Sequence, residues 1–471
     1  MKNQCDIGVI GLAVMGQNLV LNIESRGYNV AVYNRTTETT EKFMKQRAQG
    51  KNIYSGHEIE EFINLLTRPR KVMLMVKAGK PVDYVLEDIL PYLEEGDIVI
   101  DGGNSHFADT ERRYKELAEK GIKYLGTGIS GGEYGALHGP SIMPGGDRDA
   151  YQEVAEIFEA VAAKTSNGSC VAYLGEKSAG HYVKMVHNGI EYGVMQVIAE
   201  IYDFMRKVMD LSTEEMSSIF EEWNKYHQSY LLEITYEILK RIDPETEKPL
   251  VDLILDEARQ KGTGKWSVQD SLELGVFIPT ITAAVNARNI SAYKDERVSF
   301  SKVFNTPENT KLGKEFLDIL EDTLYIGIVN AYAEGMSLLQ EASKEYDYSL
   351  SLSEVARIWE DGCIIRSALL EDIQNVYKGK HEISSMILSK EFRYNFQEKI
   401  PQLRLMVKAA KERGIPIPAI SAALDYFDSL RSVELPTNLI QAQRDYFGAH
   451  TYLRRDKEGT FHTEWQDIKN V

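Results

Sequence analysis

Cysteine is scarce in this chain, and what there is forms no framework. The 471 residues include three cysteines, Cys5, Cys170 and Cys363, an odd and widely spaced set. Such usage argues for a reducing compartment rather than a disulfide scaffold. CxxC and HExxH patterns are missing and the nine histidines are scattered, so no built-in transition-metal site is expected. No run approaches about 18 consecutive apolar residues, so no segment is expected to span a membrane. No secretory leader is evident, because Met1-Lys2-Asn3-Gln4 leads straight into strand-like sequence. A cytoplasmic location is the expectation. Positive charge is also short: 54 Lys and Arg stand against 71 Asp and Glu, a net charge of -17. That argues against nucleic acid and anionic membrane as partners. It leaves room for a small anion in a local cationic pocket. The phosphate-loop spacing G-x-x-x-x-G-K-[ST] fails in the glycine-rich stretch Lys261-Gly262-Thr263-Gly264-Lys265-Trp266, which argues against a kinase or ATPase.

What is present reads as two or three domains, since the chain is too long for one ordinary core. Residues 5–10 form a short buried-strand run that ends in Gly11-Leu12-Ala13-Val14-Met15-Gly16. A helical pattern follows to about Arg26, Gly27 stops it, and residues 28–33 read as a second strand. Strand, glycine turn, helix and strand within about 30 residues is the context a dinucleotide fingerprint requires. Ala13 replaces the middle glycine, and its methyl should hold a pyrophosphate slightly away. The second strand ends in Asn34-Arg35-Thr36, where NAD enzymes usually place a carboxylate on the ribose 2′-hydroxyl. An amide, a guanidinium and a hydroxyl suit a 2′-phosphate instead, so NADP is the expected cofactor. Strands and helices keep alternating through Val76-Lys77-Ala78-Gly79, Asp101-Gly102-Gly103-Asn104-Ser105 and Ser130-Gly131-Gly132. Residues 141–146 and 170–174 are expected to add further strands. The pattern predicts a mostly parallel, doubly wound Rossmann-type α/β sheet over residues 1–177, with its glycine loops at the strands' carboxyl ends.

From residue 178 to 434 the pattern turns all-helical, with helices expected at about 178–208, 213–223, 228–241, 250–261, 267–274, 279–294 and 313–345. Two long helices each open a run of shorter ones, which hints at an internal duplication. The first carries an unusual face: Lys184, His187, Asn188, Glu191 and Tyr192 fall at i, i+3, i+4, i+7 and i+8. Val183, Val186 and Ile190 lie opposite. Such a face is either solvated, with ordinary i,i+4 pairs, or a cluster of acid/base and hydrogen-bonding groups. Arg288 interrupts an apolar helical run, which favours a buried anion partner. Residues 435–471 look like an extended tail, yet Phe447, Tyr452, Phe461 and Trp465 are too apolar for a free one. Packing against a second subunit is expected.

These motifs jointly resemble the long-chain, decarboxylating 6-phosphogluconate dehydrogenases of the pentose phosphate pathway, over essentially the whole chain. They are Gly-Leu-Ala-Val-Met-Gly at 11–16, Asn-Arg-Thr at 34–36, Val-Lys-Ala-Gly at 76–79 and Asp-Gly-Gly-Asn-Ser at 101–105. Gly-Ile-Ser-Gly-Gly-Glu at 128–133, Gly-Pro-Ser-Ile-Met-Pro-Gly-Gly at 139–146, the helix at 180–192, Lys-Gly-Thr-Gly-Lys-Trp at 261–266 and Phe-Gly-Ala-His-Thr-Tyr at 447–452 complete the set. That family also carries Ala at the Ala13 position. The resemblance implies NADP bound by Gly11 to Gly16, Asn34 to Thr36, Val76, Lys77, Ala78 and Asn104. It implies Lys184 as general base and then acid at the sugar C3, and Glu191 as the acid that protonates C1 after carbon dioxide leaves. Asn104, Ser130, Gly131, Gly132, His187 and Asn188 would hold the sugar acid. Tyr192, Lys261, Thr263 and Arg288 would hold its phosphate end, with Arg444 and His450 supplied across a homodimer. Two stretches depart from the family pattern: residues 223–229 lack the usual Gly-Glu-Leu, and Glu360-Asp361 stand where Arg-Gly is common. The alternatives are another β-hydroxyacid dehydrogenase acting on a smaller acid, or a catalytically idle nucleotide-binding protein. The cationic set Lys261, Arg288 and Arg444 favours a phosphorylated substrate.

Overall fold

The computed structural model describes residues 4–260, 262–305, 307, 310–379 and 382–465. The chain divides into two compact units, one running to Ala423 and one from Leu424 onward. The first unit opens with seven strands: β1 (Ile7–Ile10), β2 (Val30–Tyr33), β3 (Ile53–Ser55), β4 (Lys71–Leu74), β5 (Ile98–Asp101), β6 (Lys123–Ser130) and β7 (Ser141–Gly146). They form one sheet in the order β3-β2-β1-β4-β5-β6-β7. All pairs are parallel except β6 with β7. The apolar runs are continuous because both faces are covered. Alternate residues feed two separate cores. Ile7, Val9, Val30, Val32, Ile98 and Ile100 enter one, while Ile10, Ala31, Val72, Leu74 and Val99 enter the other. The order steps from β1 to β4 in mid-sheet, and the crevice at that switch is where such sheets receive ligands.

The long helix Ala179–Val208 follows, buried on every side from Ala179 to Ile190. It lies against β6 and β7 at backbone distance. A methyl group on Gly180 would sit 2.2 Å from the Gly126 oxygen and 2.3 Å from the Met143 oxygen, so only glycine admits this approach. A second long helix, Leu317–Glu345, packs beside the first. The two share a pattern: Gly193-x-x-Gln196-x-x-Ala199-Glu200 recurs as Gly327-x-x-Asn330-x-x-Ala333-Glu334. A later pair matches too, with Gly275-x-x-Ile278-Pro279-x-Ile281 recurring as Gly414-x-x-Ile417-Pro418-x-Ile420. The two patterns meet crosswise. Glu200 accepts from the Ala419 and Ile420 amides (2.8 and 2.9 Å), and Glu334 from the Thr280 and Ile281 amides (2.9 and 3.0 Å). Each long helix thereby caps the Pro-initiated helix of the other half. Burial pushes these carboxyls up, to about 7 for Glu200 and about 8 for Glu334, although the amide bonds act in the opposite direction.

Three expectations need correction. Residues 250–261 are not a helix: a single 3₁₀ turn, Leu250–Leu253, is followed by irregular chain through the described residues up to 260. Nearly all of this stretch is exposed, so its periodicity has no core to face. Its groups bond elsewhere, with Asp256 on Lys294 and Arg297 and the Ala258 amide on Ser291. Residues 170–174 make no strand, only one bridge between Val171 and Ile142. The region from 435 holds more structure than an extended tail: a helix, Thr437–Gly448, and an antiparallel pair, Tyr452–Leu453 with Thr460–Phe461. Asp445, fully buried, organises it. Its carboxylate receives the Thr451 and Thr463 amides, the Trp465 indole and His462 at 2.8–3.0 Å. Burial works against its charge, but these bonds prevail and hold the pKa below the usual carboxylate range. Partners 6 to 20 residues away leave no local periodic signal. Among the described residues no helix is long and apolar enough to cross a membrane.

Candidate active site

The nucleotide end is built by four strand ends. After β1 the chain turns at Gly11, φ +105°, where a side chain would also strike the Met75 oxygen at 2.5 Å. The Leu12 amide then donates to Asn34 Oδ1 at 3.0 Å, tying the loop after β1 to the end of β2. Helix Val14–Ser25 begins with no side-chain cap, and Ala13 and Val14 are exposed. Its first amides therefore face outward as an anion site. Met15 and Gly16 continue that turn. Arg35 and Thr36 are exposed beside it at the end of β2, and Val76, Lys77 and Ala78 follow β4. Asn104 projects from the loop after β5, whose shape is set by Asp101. The Asp101 carboxylate accepts from the Gly103 amide (3.0 Å), Ser105 (2.6 Å) and Tyr124 (3.1 Å). This set fits a dinucleotide: uncapped amides for a pyrophosphate and an exposed guanidinium beside the ribose position.

The catalytic candidates stand on the long helix where it crosses β6. Lys184 is 6% exposed, and its stem lies so close to β6 that a methyl on Gly128 would fall 2.4 Å from Lys184 Cβ. Its Nζ is 3.4 Å from His187 Nδ1, which also lies 3.2 Å from Asn188 Oδ1. His187 Nε2 meets Ser130 Oγ at 3.1 Å, and Ser130 leads directly into Gly131 and Gly132. Glu191 Oε2 is 3.9 Å from His187 Nδ1, and about a fifth of the Glu191 side chain remains exposed (21%). The polar face is thus buried rather than solvated. Burial lowers the Lys184 pKa, while the charge of Glu191 and the nearby Cys363 pull it back up. Burial raises the Glu191 pKa, opposed by Lys184 and Arg288. His187 is driven well down by burial and by the Lys184 charge. Burial thus moves the two groups in opposite senses, easing the lysine toward neutrality and the carboxyl toward protonation, the pattern that suits an acid/base pair.

Beside Glu191, the Arg288 guanidinium stacks 3.4 Å from the centroid of the Tyr192 ring. Its nitrogens lie 3.4 Å from the Arg259 carbonyl and 3.5 Å from Met195 Sδ. Thr263 is buried at the start of helix Thr263–Glu273, which runs beside Tyr192. Lys261 lies outside the described residues. Arg444 and His450 belong to the second unit. Both are exposed; Arg444 bonds Gln441 at 3.1 Å, and His450 packs edge-on against Phe447.

The comparisons with known proteins agree along the chain. Residues 6–175 match the family described as the NAD binding domain of 6-phosphogluconate dehydrogenase, and residues 180–465 match the 6-phosphogluconate dehydrogenase C-terminal domain. The chain belongs to the 6-phosphogluconate dehydrogenase family. The decarboxylating 6-phosphogluconate dehydrogenase of Synechococcus elongatus is 52% identical over 464 residues, 97% of this chain and 98% of that protein. The NADP(+)-dependent, decarboxylating enzyme of Bacillus subtilis is 52% identical over 463 residues, 98% of both. A solved structure of Plasmodium falciparum 6-phosphogluconate dehydrogenase, from work on its apo form and its complexes with NADP+ and 6-phosphogluconate, superposes with a TM-score of 0.94. It is 47% identical, covering 98% of this chain and 100% of that one.

Several residues that shape the site escape sequence reasoning. His181 joins Thr110 Oγ1 (2.7 Å) to the Asp101 carbonyl (3.0 Å), locking the long helix to the Asn104 loop. Trp359 stands edge-on to His187, centroids 5.6 Å apart. Only the small residues Gly126, Gly128 and Gly180 hinted at so close a helix–sheet approach. The two divergent stretches have local roles. Glu360 accepts from Asn167 (3.0 Å) and Thr165 (3.1 Å). Asn224 Oδ1 caps the turn at Ser229 (2.7 Å).

Proposed function

We propose that this chain converts 6-phosphogluconate and NADP+ to ribulose 5-phosphate, carbon dioxide and NADPH. The observation that carries the reading is the Lys184–His187–Glu191 cluster, joined through Ser130 to the carboxyl end of β6 in the nucleotide-binding sheet. Bound NADP+ would accept the hydride released from C3. Gly11 to Gly16 would cradle its pyrophosphate, Asn34, Arg35 and Thr36 its 2′-phosphate end, and Val76, Lys77, Ala78 and Asn104 the remainder. Neutral Lys184 takes the C3 hydroxyl proton as the hydride departs. The 3-keto acid then loses carbon dioxide, and protonated Lys184 donates to the enolate oxygen as its charge develops. Glu191 delivers a proton to C1 of the enediol, and Lys184, neutral again after its donation, takes back the hydroxyl proton as the ketone forms. Seven residues of helix separate their backbones by about 10 Å along the axis, but the side chains converge, Lys184 Nζ at 3.4 Å and Glu191 Oε2 at 3.9 Å from His187 Nδ1, within reach of one sugar lying along the face. Asn104, Ser130, Gly131, Gly132, His187 and Asn188 position the sugar acid. Tyr192, Lys261, Thr263 and Arg288 bind its phosphate.

On the same reading the chain is a cytoplasmic homodimer. Residues 1–177 bind the nucleotide, 178–434 bind substrate and dimerise, and 435–471 reach the partner subunit, bringing Arg444 and His450 to its phosphate site. The decisive experiment mixes purified protein with 6-phosphogluconate and NADP+ and follows reduced cofactor and carbon dioxide together. Equimolar release of both is expected. Turnover only with a smaller, unphosphorylated hydroxy acid, or no turnover, overturns the proposal.

A further inference from the structure

We infer that Glu334, remote from the reacting atoms, is a positioning residue for the phosphate end of the site, acting through the helix that carries Arg288. This rests on the assignment of Tyr192 and Arg288 to the substrate phosphate. Helix Pro279–Ser291 begins at a clamp: the Glu334 oxygens take the Thr280 and Ile281 amides at 2.9 and 3.0 Å. Asn330 Nδ2 braces the clamp, donating to Glu334 at 3.1 Å and to Thr280 Oγ1 at 3.0 Å. All three side chains are fully buried. An acceptor pair at a helix N-terminus satisfies amides that would otherwise be orphaned.

The clamp fixes more than a helix end. Ile281, whose amide it holds, packs on the long helix between Gly189 and Gly193. Methyl groups added at those glycines would lie 3.4 and 3.6 Å from the Ile281 side chain. Those glycines flank Glu191 and Tyr192. Arg288 stands seven residues beyond Ile281, about 10 Å along the axis, with its guanidinium 3.4 Å from the Tyr192 ring centroid. A helix pinned at its first turn and seated on Gly189 and Gly193 has its rotation and axial position set, and with them the place of the guanidinium. Glu200 is a built-in control. It makes the same pair of amide bonds, with Gln196 bracing it at 3.0 Å, on a helix that carries no assigned site residue.

The test compares Glu334→Ala, Glu200→Ala, Arg288→Ala and the double variant Glu334→Ala/Arg288→Ala as full-length proteins. Readouts are thermal midpoint, kcat, and KM for each substrate. Both glutamate variants should lose thermal stability. Only Glu334→Ala should raise KM for 6-phosphogluconate, by about tenfold, with KM for NADP+ unchanged and kcat within about threefold, the signature of lost binding made equally in ground and transition states. The double variant should have the KM of Arg288→Ala alone, because the clamp acts through that residue. Equal KM increases in the Glu334 and Glu200 variants, or additive effects in the double variant, overturn the inference. If Arg288→Ala leaves KM unchanged, the phosphate assignment itself fails. If Arg288→Ala raises KM and Glu334→Ala does not, only the role of Glu334 fails. Should Glu334→Ala not fold, Asn330→Ala, which removes the brace but leaves both amide bonds, takes its place with a smaller KM increase expected. An unchanged KM in that folded variant, too, counts against the inference.

Discussion

At the scale of single residues, the proposed mechanism has Lys184 and Glu191 divide the work by environment rather than by chemistry alone. An ordinary lysine is protonated at neutral pH and cannot act as a base; burial moves Lys184 away from that state by lowering its pKa. Lys184→Ala should lower turnover by about 10²- to 10⁴-fold, the usual share of a positioned acid/base group. Substrate binding, measured by calorimetry, should survive. Near-normal turnover would remove Lys184 from the base position. The pairing with Glu191 sets a pH dependence. The Glu191 charge raises the Lys184 pKa, so Glu191→Gln should move the acid limb of kcat/KM for NADPH formation to lower pH. It should also slow the late proton transfer; a limb that shifts upward, with kcat unchanged, would contradict the assignment. Arg35 should discriminate between cofactors. Charge-assisted bonds to the proposed 2′-phosphate would be worth about 1.5–3 kcal/mol, so Arg35→Ala should raise KM for NADP+ by roughly ten- to a hundredfold while barely changing KM for NAD+. Equal effects on the two cofactors would remove the 2′-phosphate role.

At the scale of elements, the site depends on how closely one helix approaches one strand pair. Gly180 faces the Gly126 and Met143 carbonyls, both backbone, so no side chain can swing away to make room. Gly180→Ala should therefore destabilise the fold by about 1–3 kcal/mol as an overpacking change. It should also lower kcat, because Lys184 is one turn further along the displaced helix. Denaturant unfolding together with kcat reads both; a full-strength enzyme with unchanged stability would mean the approach is looser than described. The crosswise caps at Glu200 and Glu334 show the same logic in the helical half, where two similar segments hold each other's partner helices. The long helices themselves are plain in the sequence from their period. Their reciprocal capping is not, because each bond pair joins residues more than 50 positions apart.

At the scale of the whole molecule, the proposal that each site takes Arg444 and His450 from the partner has a direct test. Lys184→Ala and Arg444→Ala chains should each be nearly inactive alone. Mixed, unfolded and refolded together, they should form hybrid dimers in which one site combines an intact Lys184 with an intact partner tail. Recovered activity approaching a quarter of wild type is expected on statistical grounds, from half the dimers carrying one good site each. No recovery, with hybrids verified by mass, would place Arg444 in its own chain's site.

The sequence by itself determined the nucleotide half closely: the glycine turn, Asn34 to Thr36 and the strand-end loops are local patterns, and parallel strands bring them to one edge by rule. It also put Lys184, His187, Asn188, Glu191 and Tyr192 on one helix face, because helical spacing is local. It could not decide whether that face met solvent, since burial depends on β6 and β7, roughly 40 to 60 residues earlier in the chain, and on Trp359, far later. Only the tertiary structure settled that, by seating Gly180 on backbone carbonyls and closing Trp359 over His187. The apparent helix at 250–261 failed for the mirror-image reason, as a periodic stretch left without a surface to bury against.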